Sequence, residues 1–385
     1  MAYSIDRDFL VDTLRGLVRI DSVNPGLVPE GAGERAIAEY IGDILRSCSL
    51  EPEITEIEPG RFNVVACMKG SGGGRSLMLT GHMDTVGVEG MDDPFSAEVR
   101  DGKVYGRGAQ DMKGGLAGIL AAIKTIVDNG IRLKGDLIFA AVADEEYGSI
   151  GTEALVQRHK PDAAIVAEPT GLDVCLAHKG FSVFEFKTKG RMAHGGRYQD
   201  GIDANLHMGR ILSELDRLSQ SLMKGEKHPL LGPPSLHVPL IKGGSELFVY
   251  SDRCTISVER RTLPGEDPHV LLGEMEDIVS RLSKEDDAFY GRVTLVMHRH
   301  AYEISQDADF VKLVAEITSQ VLGKPPTFIG HDWWEDSALI AEGGTETVII
   351  GPRGAGLHTH DEWVDIQSVV DLATILLQTA IRFCS

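Results

Sequence analysis

The chain has 385 residues, 42% hydrophobic and 25% charged, with a formal net charge of −20, which predicts a globular protein of two domains and excludes a nucleic-acid surface, since that needs clustered Lys and Arg. No run is long and uncharged enough to span a bilayer: residues 114–123 are followed at once by Lys124, and the C-terminal helix carries Asp365 and Asp371. The start lacks a basic stretch followed by an apolar core, so a cytoplasmic protein is expected, and five scattered cysteines without a Cys-x-x-Cys pair predict buried thiols rather than a disulfide framework.

In chain order, Phe9, Leu10, Leu14, Leu17 and Val18 recur at helical spacing. A turn at Ser22-Val23-Asn24-Pro25-Gly26 separates that helix from a second, on Ala36, Ile37, Tyr40, Ile41, Ile44 and Leu45. Short apolar runs bounded by turn residues follow at 76–80, 137–143, 163–166 and, much later, 347–350, as expected of strands buried on both faces. Residues 112–127 predict a helix. Its Lys113-Gly114-Gly115 start reads as close packing of helix on sheet, because no Gly-x-x-x-x-Gly-Lys-Ser/Thr pattern marks a phosphate loop. Strand and helix alternate up to Glu168, the mark of a mainly parallel sheet covered on both faces. From about Gly180 the order becomes strand 183–188, helix 204–218, strands 235–241 and 253–261, helix 269–282 and strand 293–298, a ferredoxin-like βαββαβ unit. Helix 310–322, a strand and helix 369–383 close the chain. The expected fold is α/β: a mainly parallel mixed sheet flanked by helices, built from residues 1–178 and 300–385, with a ferredoxin-like α+β domain inserted at 179–299.

Polar clusters stand at the ends of the apolar runs: Gly81-His82-Met83-Asp84, Gly108-Ala109-Gln110-Asp111, Asp144-Glu145-Glu146, Ala167-Glu168-Pro169 and Leu357-His358-Thr359-His360-Asp361-Glu362. Open α/β sheets build their sites at strand carboxyl ends. Each cluster alone is weak; together they point to a two-metal hydrolase. Two divalent ions need imidazole nitrogens and carboxylate oxygens, with one carboxylate shared so that the ions approach to ~3.5–4 Å. Asp111 is the natural bridge, with His82 and Glu168 completing one ion's set and Glu146 and His358 the other's. Asp84, two residues after His82, is expected to face the same side and accept the second imidazole N–H. Glu145 adjoins Glu146 but diverges from it, which leaves it to take a proton from water and return it to a leaving amine. His194, in Arg191-Met192-Ala193-His194-Gly195-Gly196, is the candidate oxyanion donor.

These motifs, with Tyr105-Gly106-Arg107-Gly108-Ala109-Gln110-Asp111-Met112-Lys113-Gly114-Gly115, Glu168-Pro169-Thr170 and Arg260-Arg261-Thr262-Leu263-Pro264-Gly265, resemble those of the dinuclear zinc deacylases and exopeptidases of the acetylornithine deacetylase, succinyl-diaminopimelate desuccinylase and glutamate carboxypeptidase type, over essentially the whole chain. The resemblance implies the zinc-exopeptidase type of sheet, two zinc ions replaceable by cobalt, and the metal ligands and base named above. It also implies a cis peptide after Asp111 and an inserted domain that acts as lid and dimer interface, with His194 reaching the partner subunit's site. A Glu four residues after the last ligand, here Glu362, selects His358 over His360. Arg261 corresponds to a lid arginine that grips the substrate carboxylate, and Arg353, in Gly351-Pro352-Arg353-Gly354, could add a second grip. The lid departs from the pattern at Phe248, where relatives carry Asn, at Tyr198 for Pro and at Asp203 for Asn. The expected reaction is metal-dependent amide hydrolysis in a small N-acylated amino acid by a homodimer, with no membrane or nucleic-acid partner. A dipeptidase or carboxypeptidase is the alternative. A catalytically silent binding protein on the same fold usually lacks a ligand or the base, and this chain keeps His82, Asp84, Asp111, Glu145, Glu146, Glu168 and His358.

Overall fold

The computed structural model describes residues 3–385, which form two compact units. In the first, running to Leu176 and resuming over Ile304–Ile329 and Glu335–Ser385, the apolar runs become the middle of a mixed sheet. Strands Leu137–Val142, Leu77–His82, Ala163–Val166 and Glu346–Ile349 lie side by side and parallel. Arg61–Met68 with Glu53–Glu58 borders them antiparallel on one side, and Val174–His178 on the other. Every residue of Leu77–His82, Leu137–Val142 and Ala163–Val166 is buried, because helices cover both faces and leave no solvent side for an alternating pattern. Helices Gly114–Asp128 and Ile366–Phe383 pack on Leu77–His82, and Ile150–Arg158 packs on Arg61–Met68 and Leu137–Val142.

Helix Gly114–Asp128 comes so near the sheet that a Cβ on Gly115 would lie 2.3 Å from the Ala167 carbonyl oxygen, so the glycines serve packing, as expected. Helix Ile366–Phe383 corrects another expectation: it has the length and apolarity of a membrane span. Asp365 stands outside it as the N-cap, accepting the Ser368 N–H at 2.7 Å, and eleven of its residues, from Ile366 to Phe383, are buried against protein. A small antiparallel sheet, not evident in the sequence because its strands have two or three residues, joins Gly354–Ala355, Trp363–Asp365, Lys103–Tyr105 and Glu98–Arg100.

The second unit takes Ala177–Glu303 and, beyond the expected limits, Gly330–Trp334. That short segment is drawn in by the Trp334 ring, which lies 6.1 Å from Phe181 and donates its indole N–H to the His300 carbonyl at 3.1 Å. Strands Ser235–Gly243, Arg253–Thr262, Gly180–Lys189 and Tyr290–Arg299 form an antiparallel sheet in that order, the ferredoxin-like arrangement. Alternation along Gly180–Lys189 and Arg253–Thr262 turns Phe184, Phe186, Ile256 and Val258 onto helices Ala204–Lys224 and Pro268–Glu285, where they meet Met208, Ile211, Leu271 and Met275. Asp203, which departs from the family pattern, caps the first of these helices by accepting the N–H groups of Asn205 and Leu206 at 2.9 and 3.3 Å.

Near the strand ends of the first unit runs a buried polar chain. The Arg61 guanidinium donates to both Glu34 oxygens, at 2.6 and 2.9 Å, and approaches Asp144 Oδ1 at 2.8 Å. The Asn24 amide donates to Asp144 Oδ1 at 3.0 Å and Asp84 Oδ2 at 2.6 Å. One guanidinium therefore balances two buried carboxylates directly. Arg61→Met should destabilise the first unit by about 3–5 kcal/mol, the cost of stranding buried charge, read as a lower urea midpoint; an unchanged midpoint would show that the chain of charges is not interdependent.

Candidate active site

The strand ends place the site. His82 is the last residue of Leu77–His82, and Glu168 lies two residues beyond Ala163–Val166. Glu145 and Glu146 follow Leu137–Val142 through a turn in which Asp144 adopts φ +71° and its carbonyl accepts the N–H groups of Gly148 and Ser149. A non-glycine residue there is strained, a state that surrounding structure must impose. Asp111 precedes helix Gly114–Asp128, and its peptide bond to Met112 is cis. His358, also at positive φ, rides the loop between Gly354–Ala355 and Trp363–Asp365.

The structure brings these side chains together. Asp111 Oδ1 lies 3.0 Å from His82 Nε2, and its other oxygen, Oδ2, lies 3.2 Å from His358 Nε2. Glu168 Oε1 is 3.5 Å from His82 Nε2 and Glu146 Oε2 is 3.2 Å from His358 Nε2. Glu145 Oε2 stands 4.0 Å from His82 Nε2. Two donors on a tetrahedral ion with bonds of ~2.0–2.2 Å stand ~3.3 Å apart, which is the spacing seen around each imidazole. His360 is not part of the group: its ring lies against Gly90.

Two further carboxylates hold the backbone around the group. Asp84 departs from expectation. The His82 Nδ1 partner is the Asp84 backbone carbonyl at 2.9 Å, whereas its carboxylate is 3.6 Å away, beyond hydrogen-bond reach. The strand ends at His82, and the Asp84 carboxylate instead accepts the N–H groups of Glu145 and Glu146, each at 3.2 Å. Glu362, used in the sequence only as a marker for His358, accepts the N–H groups of Gly108, Gln110 and Asp111 at 2.9, 2.9 and 3.0 Å and the Arg107 guanidinium at 2.6 Å. Asp336, also missed, accepts the Thr152 hydroxyl at 2.5 Å and adds its charge to the field at Glu145. Asn24 and Arg61 carry no recognisable motif, and Arg107, though within the Tyr105–Gly115 motif, is given no role by it; only their contacts reveal what they do.

Burial disfavours charge throughout the site. It pushes the carboxyls of Glu145 and Glu168 well above the usual range, and that of Glu146 upward, with neighbouring carboxylates adding to the effect. His82 rises well above its ordinary value despite burial, because Glu168 and Asp111 face it. Hydrogen bonds to Asp111 and Glu146 lift His358 to about 10. Burial pushes Asp111 the other way, yet His358 and His82 hold its carboxyl below the usual range. The carboxylates thus favour positive charge at the two imidazoles, and that charge is what cations on the same donors would supply. The donor set suits such ions. Atoms of His82, Glu145 and Glu168 lie within 4.8 Å of one another, as do those of His82, Asp111 and Glu146. Glu146 Oε1 and Glu168 Oε1 are buried without a hydrogen bond, and a carboxylate oxygen so stranded fits a metal ligand.

For the remaining candidates the structure records local contacts only. Arg353, about half exposed, has its nearest carboxylate contact at Asp365, 3.9 Å away. In the second unit, His194 is exposed, pairs with Val249 and accepts the Gly196 N–H at 3.1 Å. Phe248, 74% exposed, adjoins it through its carbonyl, which accepts the Gly195 N–H at 2.8 Å. Arg261 contacts Glu259 through Nε.

Residues 78–382 match the model of Peptidase family M20/M25/M40. An acetylornithine deacetylase from Myxococcus xanthus is 30% identical over 331 residues, covering 84% of each chain. An N-formyl-4-amino-5-aminomethyl-2-methylpyrimidine deformylase from Bacillus subtilis is 28% identical, covering 93% of this chain and 91% of its own. The solved structure of a tripeptidase from Staphylococcus aureus superimposes with a TM-score of 0.82 at 23% identity over 99% of both chains, a likeness of fold. A group of imidazoles and carboxylates able to hold metal at the strand ends, the matched family model and the deacetylase relative agree: the chain belongs to Peptidase family M20/M25/M40 and is a hydrolase of amide bonds.

Proposed function

We propose that the chain is a dinuclear zinc hydrolase, with cobalt able to substitute, that removes the acyl group from a small N-acylated amino acid and works as a cytoplasmic homodimer. The observation that carries the reading is Asp111, whose two oxygens face the imidazoles of separate ligand sets, His82 with Glu168 and His358 with Glu146. Two relatives are named for removal of an acetyl and a formyl group, which favours acyl transfer to water over peptide cleavage. Ions held by these residues would lower the pKa of a water toward ~7 and polarise the amide carbonyl. Glu145 takes the proton as the water attacks and returns it to the departing amine. His194, from the partner subunit, donates to the developing oxyanion, Arg261 grips the substrate carboxylate, and Arg353 adds a second grip. A dipeptide presents the same amide flanked by a carboxylate, so a dipeptidase or carboxypeptidase is the second reading. N-acetyl amino acids, N-succinyl-diaminopimelate, N-formyl amines and dipeptides, assayed with zinc or cobalt, separate the two by kcat/KM.

Removal of metal by a strong chelator should abolish hydrolysis, and zinc or cobalt should restore it; full activity in metal-free protein would rule the mechanism out. Asp111→Ala should cost more activity and metal than loss of either imidazole, since it strips a ligand from both ions.

Glu145→Ala should retain metal, by atomic emission, while kcat falls at least ~100-fold. Parallel loss of metal and rate would exchange the roles of Glu145 and Glu146.

His194→Ala and Glu145→Ala homodimers should each be nearly inactive with metal retained. After subunit exchange, activity should return, because one site per heterodimer would combine an intact Glu145 with an intact His194. Absence of recovery in heterodimers verified by mass spectrometry would restrict His194 to its own chain or to a structural part.

A further inference from the structure

On the face of the second unit's sheet turned away from its helices, Glu259 and Arg261 stand two residues apart on strand Arg253–Thr262, and side chains at that spacing share a face. Glu259 uses both oxygens. Oε1 lies 2.6 Å from Arg261 Nε, and Oε2 lies 3.2 Å from Nε2 of His237, the residue directly opposite it on Ser235–Gly243. On its other side, Arg261 is directly opposite Phe181, with the guanidinium carbon 5.5 Å from the ring centre. Nε therefore stands within ion-pair distance of a carboxylate, and an aromatic ring lies near the guanidinium. The edge formed by Nη1 and Nη2 is a fork that matches two carboxylate oxygens, and with Nε turned to Glu259 it is the edge a ligand would take.

We propose that Glu259, itself steadied by His237, is a positioning residue that fixes Arg261 so that its Nη1–Nη2 edge is presented end-on to the carboxylate of an N-acyl amino acid. The inference rests on the proposed role of Arg261. Two effects of Glu259 oppose each other. Its negative charge weakens the attraction between Arg261 and a substrate carboxylate, whereas its hold spares a long side chain the loss of rotamer freedom on binding. The Arg261 side chain is about one-third exposed, where water screens the charge effect, so the orienting effect should win.

Replacements separate the two. Glu259→Ala removes both hold and charge, while Glu259→Gln keeps an oxygen for Nε and removes only the charge. With an N-acetyl amino acid, Glu259→Ala should raise KM about tenfold, the scale of one charge-assisted contact, while kcat stays within about twofold. Glu259→Gln should restore KM to wild type or below. With the matching N-acetyl amino acid amide, which has no carboxylate, neither variant should change KM, and in an Arg261→Ala background Glu259→Ala should add nothing. Equal losses on acid and amide, no rescue by glutamine, or a further loss in the Arg261→Ala background would each overturn the positioning role. If Arg261→Ala slows acid and amide alike, the carboxylate role of Arg261 fails and the positioning role falls with it. If Arg261→Ala discriminates between them but Glu259→Ala does not, Glu259 alone has been misassigned.

Discussion

Like charges crowded out of water are the constraint from which the first unit follows. Asp111, Glu145, Glu146 and Glu168 converge on two imidazoles, and each of these carboxylates is shielded from solvent. Left alone they would repel one another or take up protons, and the upward shifts at Glu145, Glu146 and Glu168 are that response. A fold can keep such a group only by making its backbone rigid and leaving room for compensating cations. Hydrolytic power and an appetite for metal are therefore two sides of one electrostatic problem.

The rigidity comes from acids that bind backbone N–H groups or a guanidinium. Asp84 holds the backbone of Glu145 and Glu146, Glu362 holds that of Asp111, and Arg61 keeps Glu34 and Asp144 paired. Each outer carboxylate accepts from N–H groups or faces a guanidinium. The second unit solves a simpler problem, with an apolar layer under its helices and a polar sheet face on which Glu259 and Arg261 are set.

Strand ends and the residue types gathered there are legible in the sequence because burial on both faces writes continuous apolar runs, and because imidazoles and carboxylates recur at the ends of several of them. The βαββαβ order is legible for the same reason: periodicity is local. The supports are not local. Glu362 serves only to mark His358, Arg61 carries no motif, and Asp84 looks like a partner for the imidazole two residues back, until the chain closes and neighbouring strand ends claim their hydrogen bonds. The short ladder around His358 escapes notice because strands of two or three residues leave no pattern. Gly330–Trp334 changes unit through an aromatic ring, a choice that composition does not reveal.

The grip of Glu362 on Gly108, Gln110 and Asp111 spans some 250 positions of sequence. During synthesis the segments that carry His82 and Asp111 leave the ribosome long before their anchor, and the entire second unit must be made in between. Until the C-terminal stretch arrives, the amides around Asp111 have no buried acceptor and His358 does not yet exist, so a nascent chain can offer at most half a site. A chain cut before His358 and Glu362 would lack both the clamp on Asp111 and the second imidazole of the group.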